Sequence, residues 1–283
     1  MRIFKDHFPE QSNHRQSRII FNRRLNDKKP RIMTLIIGAR CKDGVVLIGD
    51  RKVTGGVKPY TDKIKRLSSS EKIVFTAAGV QFLFEEFLTE VDRNFIFKTD
   101  YLEKLKAEDP KQDYGFTVTD FKHTCVETLK KQKAVYSELD TPADEALQVL
   151  FTLPEARNGI VYHRLYFMDM DECAPIPIEE GRIVDIGYSG IGKIFMKSLE
   201  NKEFFMKDVA RLGAFIIKYV EAEDLTKGNI GVGTDQPQIW YMEDGKEPKE
   251  ILGKEREFLL EGLDGEVVTI RQKIGSLSSF LRS

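Results

Sequence analysis

The sequence predicts an α+β fold in which stacked sheets carry helices on their outer sides. Short strand-like runs come in groups separated by longer helical stretches: strands, two helices, strands, a helix, strands. That grouping differs from the alternation of a βαβ winding. The first two runs, TLIIGAR and GVVLIGD, are almost continuously apolar, the pattern of a sheet covered on both faces. Neither GxGxxG nor GxxxxGK[ST] occurs, so nucleotide chemistry has no support.

Residues 1–32 are polar and basic, with apolar character only around Ile19, Ile20 and Phe21, and read as a flexible leader. Structure begins at MTLIIGARCKDGVVLIGDRKV, where Lys42, Asp43 and Gly44 mark a hairpin turn between the first two strands. A loop with Gly55, Gly56 and Pro59 leads to two strands around KIKRLS and KIVFTAAG. From Gln81 the spacing of Phe82, Leu83, Phe84 and Phe87 predicts a helix buried on more than one side, continuing to about Leu105 and broken by Asp109-Pro110. A second helix is predicted over about Thr119 to Leu139, with Phe121, Cys125, Val126, Leu129, Ala134 and Val135 inward. Strands return at ALQVLFTL, GIVYHRLYFMDMD and GRIVDIGYSG. Residues 191–221 read as one or two helices, and 229–242 as a closing strand pair around Asp235-Gln236-Pro237. The charged tail reads as two short strands or a helix. His123 and His163 have no metal-ligand spacing around them and are assigned to packed faces.

A chain of 283 residues holds one substantial core, as one domain or two. Its net charge of -1 gives no electrostatic case for nucleic-acid binding. The balance hides an asymmetry: residues 1–32 carry nine Lys/Arg against three acids, a net of +6 that leaves -7 for the rest. Cys41, Cys125 and Cys173 are odd in number and widely spaced, which argues against a disulfide framework or a zinc site and for reducing cytosol. No run reaches the roughly 18–20 apolar residues of a membrane span. The first thirty residues lack the apolar segment of a secretory signal, and Asp6, Glu10 and Asp27 count against a transit peptide.

Three features in 34–79 carry a resemblance. Thr34 opens a strand and Asp50 follows sixteen residues later in GVVLIGDRKVT; Lys63 begins KIKRLSSSEKI; Ala78-Gly79 ends KIVFTAAG. This stretch resembles the start of the mature proteasome β-type subunits and their HslV-like bacterial relatives, which are N-terminal-nucleophile (Ntn) hydrolases, and the resemblance extends over about residues 34–242. It implies a four-layer αββα sandwich. It also implies three parts: 1–33 as a leader or propeptide, 34–245 as the Ntn-hydrolase domain and 246–283 as a C-terminal extension.

The matching residue types make chemical sense together. A threonine hydroxyl needs a base, and an N-terminal threonine carries one in its own α-amine, which titrates near about 8. A neighbouring lysine makes that proton easier to lose, and an aspartate orients the lysine. The resemblance therefore implies Thr34 as nucleophile, Asp50 as orienter, Lys63 as tuning cation and the Gly79 N–H as oxyanion donor. It assigns Thr54 to pairing with an extended substrate, and Val53 and Ala77 to the first specificity pocket, favouring large neutral side chains. Singly, each is an ordinary strand or turn residue; only their joint register carries the assignment.

Two positions depart from the family pattern. Gly187-Tyr188-Ser189-Gly190 has one residue more than the family's Gly-Ser-Gly, so either Ser189 (preferred) or Tyr188 takes the serine's place. Asp224-Leu225-Thr226-Lys227-Gly228 keeps the family's aspartate and glycine but has Lys227 where serine is expected. Asp224 is accordingly either a site residue or a surface acid. Met33 replaces the glycine that usually precedes the threonine, leaving two routes to a free Thr34: loss of a propeptide, or a translational start at Met33.

The function expected is a threonine-type endopeptidase of a self-compartmentalised ring protease in the cytoplasm, acting on unfolded polypeptide. Sibling subunits, an α-type ring and/or an ATPase unfoldase are the implied partners; no cofactor, metal, nucleic acid or membrane is. The alternative is a non-catalytic, ring-forming α-type subunit with a gating or docking role. Asp50 and Lys63 do not discriminate against it, but Thr34 at the nucleophile position and the missing N-terminal Tyr-Asp and Ser-Pro-Asp-Gly signature do. An amidase acting on a small amide is a remoter alternative.

Overall fold

The computed structural model describes residues 34–52, 61–108, 117–135, 146–157, 160–187, 203–222 and 236–280. The apolar hairpin at the front forms β1 (Leu35–Cys41) and β2 (Gly44–Gly49). Next come β3 (Ile64–Leu67), β4 (Ser70–Gly79), α1 (Gln81–Glu108), α2 (Val118–Val135), β5 (Leu147–Arg157), β6 (Ile160–Asp169), β7 (Ile176–Ile178) and β8 (Arg182–Gly187). The chain continues through α3 (Met206–Ala222), β9 (Gln238–Glu243), β10 (Lys249–Glu250), α4 (Gly253–Leu260) and α5 (Leu263–Phe280). The strands form two five-stranded antiparallel sheets, ordered β10-β9-β2-β1-β8 and β3-β4-β5-β6-β7, giving a mixed α and β fold.

Period-2 alternation sends successive residues of β1 to different cores. Leu35, Ile37, Ala39 and Cys41 join α3, α4 and α5 in one apolar cluster. Ile36 points the other way, into a cluster that draws on both sheets: Val45, Leu47, Ile186 and Trp240 from one, Ile64, Val74, Leu150 and Leu165 from the other. A third cluster sets Phe75, Val149 and Phe151 against Leu83, Phe87, Phe121 and Leu129 of α1 and α2. Phe75 stacks on Phe151 at 5.4 Å and meets Phe87 edge-on at 6.0 Å. Both faces of each sheet are thus covered, which is why the first strands read as unbroken apolar runs.

Gly38 sits where the sheets approach. A Cβ there would lie 3.0 Å from Leu150, 3.1 Å from Leu47 and 3.2 Å from Leu165. Glycine leaves these three side chains room to interdigitate.

Assignments on α2 change. On α2 the inward stripe is Phe121, Thr124, Cys125, Thr128, Leu129 and Gln132, whereas Val135 is 71% exposed. The Gln132 amide donates to the Leu83 carbonyl at 3.0 Å, close to where α1 begins, so one further turn carries Val135 past its neighbour. His123 is exposed on this helix, not on a packed face. The tail, left open between strands and a helix, contains β10 and then α4 and α5, with Ile251, Leu260, Leu263 and Val267 in the cluster over β1 and β2. No helix among the described residues is long and apolar enough to cross a membrane.

Candidate active site

Thr34, Asp50 and Lys63 come together at one end of the two sheets because each borders a strand terminus. Thr34 immediately precedes β1, Asp50 immediately follows β2, and Lys63 immediately precedes β3. The hairpin closes there twice: Asp50 N–H donates to the Leu35 carbonyl at 3.0 Å, and Leu35 N–H donates to Asp50 Oδ1 at 2.9 Å. The carboxylate is thereby fixed against the backbone next to Thr34.

Lys63 Nζ donates to both oxygens of Asp50 at 2.8 Å and to Thr34 Oγ1 at 3.1 Å. All three side chains are buried. Burial pushes the Lys63 ammonium below its ordinary value, since a low-polarity setting disfavours charge, while Asp50 acts in the opposite direction. Such a pair holds only because each charge keeps its partner.

Neighbouring residues hold this geometry. Gly187 pairs with Leu35 across β8 and β1 and has φ of +87°. A Cβ at Gly187 would fall 1.8 Å from the Thr34 carbonyl oxygen, so a side chain is excluded. Its N–H donates to Gln148 Oε1 on the opposite sheet at 2.9 Å. Arg51, next to Asp50, binds the Gln236 carbonyl at 3.0 Å, Glu250 at 3.0 Å and the Asp62 carboxylate, joining the approach to Lys63 to β10.

Thr34 and Lys63 open into a cleft enclosing about 480 Å³ of space continuous with solvent. Ala77, Ala78, Gly79, Val80, Phe84 and Leu147 give it an apolar wall. Lys52, Asp62 and the ion-paired Lys65 and Glu85 supply charge. A threonine hydroxyl, a cation aimed at its oxygen and an adjoining groove form an arrangement that could support attack on a carbonyl. No group of three His, Cys, Asp or Glu side chains able to hold a metal gathers among the described residues.

The structure therefore brings together Thr34, Asp50, Lys63, Gly79 and Ala77 from the residues singled out in the sequence. Val53, Thr54, Ser189 and Asp224 lie outside the described residues, as do Tyr188, Met33 and the leader. Sequence reasoning missed Gln148 and Gln238, and noted Gly187 only as part of a motif. For Gln238 the available signal was a glutamine opening the otherwise apolar run QIWYM, since a polar residue inside such a strand needs internal partners.

No protein-family model matches the chain, and no curated protein matches it. Solved structures do. An Anbu (Gly-1) mutant from Hyphomicrobium sp. strain MC1 is 12% identical with a TM-score of 0.58, over 86% of this chain and 96% of that one. Anbu (ancestral beta-subunit) from Yersinia bercovieri is 13% identical with a TM-score of 0.59, over 84% and 97%. A further Anbu structure from the Hyphomicrobium strain is 13% identical with a TM-score of 0.58, over 86% and 97%. These neighbours correct the resemblance to proteasome β-type and HslV-like subunits, because the structural likeness is to Anbu proteins. At 12–13% identity it is a distant relation that establishes the fold alone.

Proposed function

We propose that this chain is an N-terminal-threonine hydrolase that cleaves peptide bonds, working as one subunit of a proteasome-related, ring-forming assembly. The observation that carries the reading is the Lys63 ammonium, held by Asp50 and directed at Thr34 Oγ1. A buried cation there lowers the proton affinity of both the hydroxyl and an adjacent α-amine. Likeness to Anbu folds, one of them an ancestral beta-subunit, supports the assembly. Three apolar clusters, one between the sheets and one on each outer face, support the four-layer αββα arrangement of Ntn hydrolases.

In this reading residues 1–33 are absent from the active form, so that Thr34 has a free α-amine. The amine takes the hydroxyl proton as Oγ1 attacks the substrate carbonyl carbon. The oxyanion is met by the Gly79 N–H, where the missing side chain lets substrate backbone approach. The amine returns the proton to the leaving nitrogen, and water then hydrolyses the ester. Substrate is unfolded polypeptide, fed by an ATPase unfoldase to sibling subunits in the cytoplasm. Ser189 and Asp224 complete the proton network, while Val53 and Thr54 join Ala77 on the substrate side.

The test is turnover of fluorogenic tripeptides bearing a large apolar residue before the cut. The chain starting at Thr34 is compared with its Thr34→Ala variant, and N-terminal sequencing establishes the form present in the source cell. Turnover confined to the unsubstituted protein supports the hydrolase. Equal turnover in both, or a leader retained on every native molecule, removes it and leaves the non-catalytic ring subunit.

A further inference from the structure

Gln238 is 1% exposed and reaches from one sheet to the other beside Lys63. It belongs to β9, yet both polar ends of its amide engage the start of β3. Oε1 accepts from the main-chain N–H groups of Lys63 and Ile64, each at 2.9 Å, and Nε2 donates to the Ile64 carbonyl at 3.0 Å. The side chain acts as a one-residue strand neighbour for a segment that needs one. β3 is the edge of its sheet, and its pairing with β4 begins only at Ile64, opposite Thr76. Lys63 lies just before that first pair.

The other end of the tie is equally defined. On β9, Gln238 stands opposite Gly49, the residue before Asp50. The amide therefore links the main chain of Lys63 to the strand flanking the one that delivers Asp50. That link sets the separation over which the Lys63 side chain must span to meet Asp50 and Thr34.

We propose that Gln238 is a positioning residue for the hydrolytic site, acting through the Lys63 main chain to hold the ammonium on Asp50 and Thr34; this rests on the threonine-hydrolase reading above. Its carboxamide is suited to the task because it offers an acceptor and a donor at once without adding charge beside the ion pair. An apolar residue of the same size would strand two buried N–H groups. A carboxylate would set negative charge against the Ile64 carbonyl.

The experiment uses Gln238→Met, which fills the volume without the three hydrogen bonds, and Gln238→Glu, which keeps an acceptor oxygen. In the full chain, amine-directed labelling is followed by mass spectrometry, with exposed Lys246 as the internal standard. Lys63 is expected to label at least about ten-fold faster in Gln238→Met, with Lys246 unchanged, because the local hold is lost. In protein starting at Thr34, kcat is expected to fall on the order of 10- to 100-fold with KM within about two-fold. The alkaline limb of the pH profile is expected to move towards the ordinary lysine value. In a Lys63→Ala background neither Gln238 variant should reduce the residual rate further.

A folded Gln238→Met protein with unchanged Lys63 labelling, kcat and alkaline limb overturns the proposal. So does a loss that adds fully to Lys63→Ala. Failure of both variants to fold also overturns it, because Gln238 would then be needed simply to close the sheets. Absence of Thr34-dependent turnover in the unsubstituted protein instead sinks the hydrolase reading, and the labelling result then decides the role of Gln238.

Discussion

Lys63 and Asp50 form a two-point ion pair, with Nζ 2.8 Å from each carboxylate oxygen, Asp50 fully buried and Lys63 only 8% exposed. From this pair Nζ also reaches Thr34 Oγ1 at 3.1 Å. Because burial penalises either charge alone, the two side chains stand or fall together. Stability and the proposed catalysis are therefore entangled at this site, and the first prediction separates them.

Lys63→Met leaves a buried carboxylate without its cation and is expected to destabilise the fold by roughly 3–5 kcal/mol. Adding Asp50→Asn should recover most of that loss, since asparagine still offers an oxygen to the Leu35 N–H. Turnover is expected to stay down by about 100-fold or more in both variants. Denaturant melts and peptide kinetics on the same preparations check the pattern. Wild-type kcat in the double variant would show that Thr34 needs no neighbouring ammonium.

A pH profile gives an independent view of Lys63. Burial lowers its pKa from 10.5, so the ammonium is lost at a pH below that of a free lysine. As pH rises through the lowered value, Asp50 loses its cation and Thr34 its polarising neighbour. The alkaline limb of kcat/KM is accordingly expected below 10.5, while Lys63→Arg, with its far higher pKa, should lack that limb. A limb at or above 10.5 in the unsubstituted protein would contradict a buried, working ammonium.

Gly187→Ala and Gly245→Ala form a matched pair. Both glycines have positive φ, +87° and +81°, so alanine strains the backbone at either by about 1–2 kcal/mol. They differ in what the new methyl meets: the Thr34 carbonyl oxygen at 1.8 Å for Gly187, and nothing within 4 Å for Gly245. Gly245→Ala is expected to lower stability by that increment alone and keep its kcat. Gly187→Ala should displace Thr34, lowering stability further and abolishing turnover. Similar kcat and Tm in the two variants would remove the role of Gly187 as a seat for Thr34.

What could be read from the sequence divides along physical lines. The first hairpin was legible because two apolar runs flank a Lys-Asp-Gly turn, and strands buried on both faces read as unbroken apolar runs. Thr34, Asp50 and Lys63 were singled out together through the resemblance that their joint register carries, and the structure sets them side by side next to β1, β2 and β3. Gln238 was not, since its partners lie 174 and 175 residues away. Nor was the exposure of Val135, which follows from where α1 starts and not from the periodicity of α2 itself. Gly187 was noticed as part of a motif, but its steric purpose depends on β8 lying against β1.

The end of the sheets away from Thr34 holds a second buried group whose titration should be visible in stability. His163 is fully buried on β6, with Nε2 set 2.9 Å from the Lys246 carbonyl and its main-chain N–H on Asp244 Oδ1 at 3.0 Å. The carbonyl accepts, so Nε2 carries the proton, and Nδ1 finds no partner among the described residues. A second proton on Nδ1 would place an imidazolium in this setting. Burial lowers the pKa below 6.5 and Arg40 and Lys72 add to that, outweighing Asp244 and the Lys246 carbonyl. Above about 6.5 both folded and unfolded histidine are neutral and the group contributes no pH dependence. As pH falls through that value the unfolded chain binds a proton that the folded chain refuses. Stability should then decline by up to about 1.4 kcal/mol per pH unit until the folded pKa is reached. His163→Gln keeps a donor for the Lys246 carbonyl and removes the titration. Denaturant melts from about pH 7.5 to about pH 5 should show the unsubstituted protein losing stability faster than the variant, and parallel curves would place the acid sensitivity elsewhere.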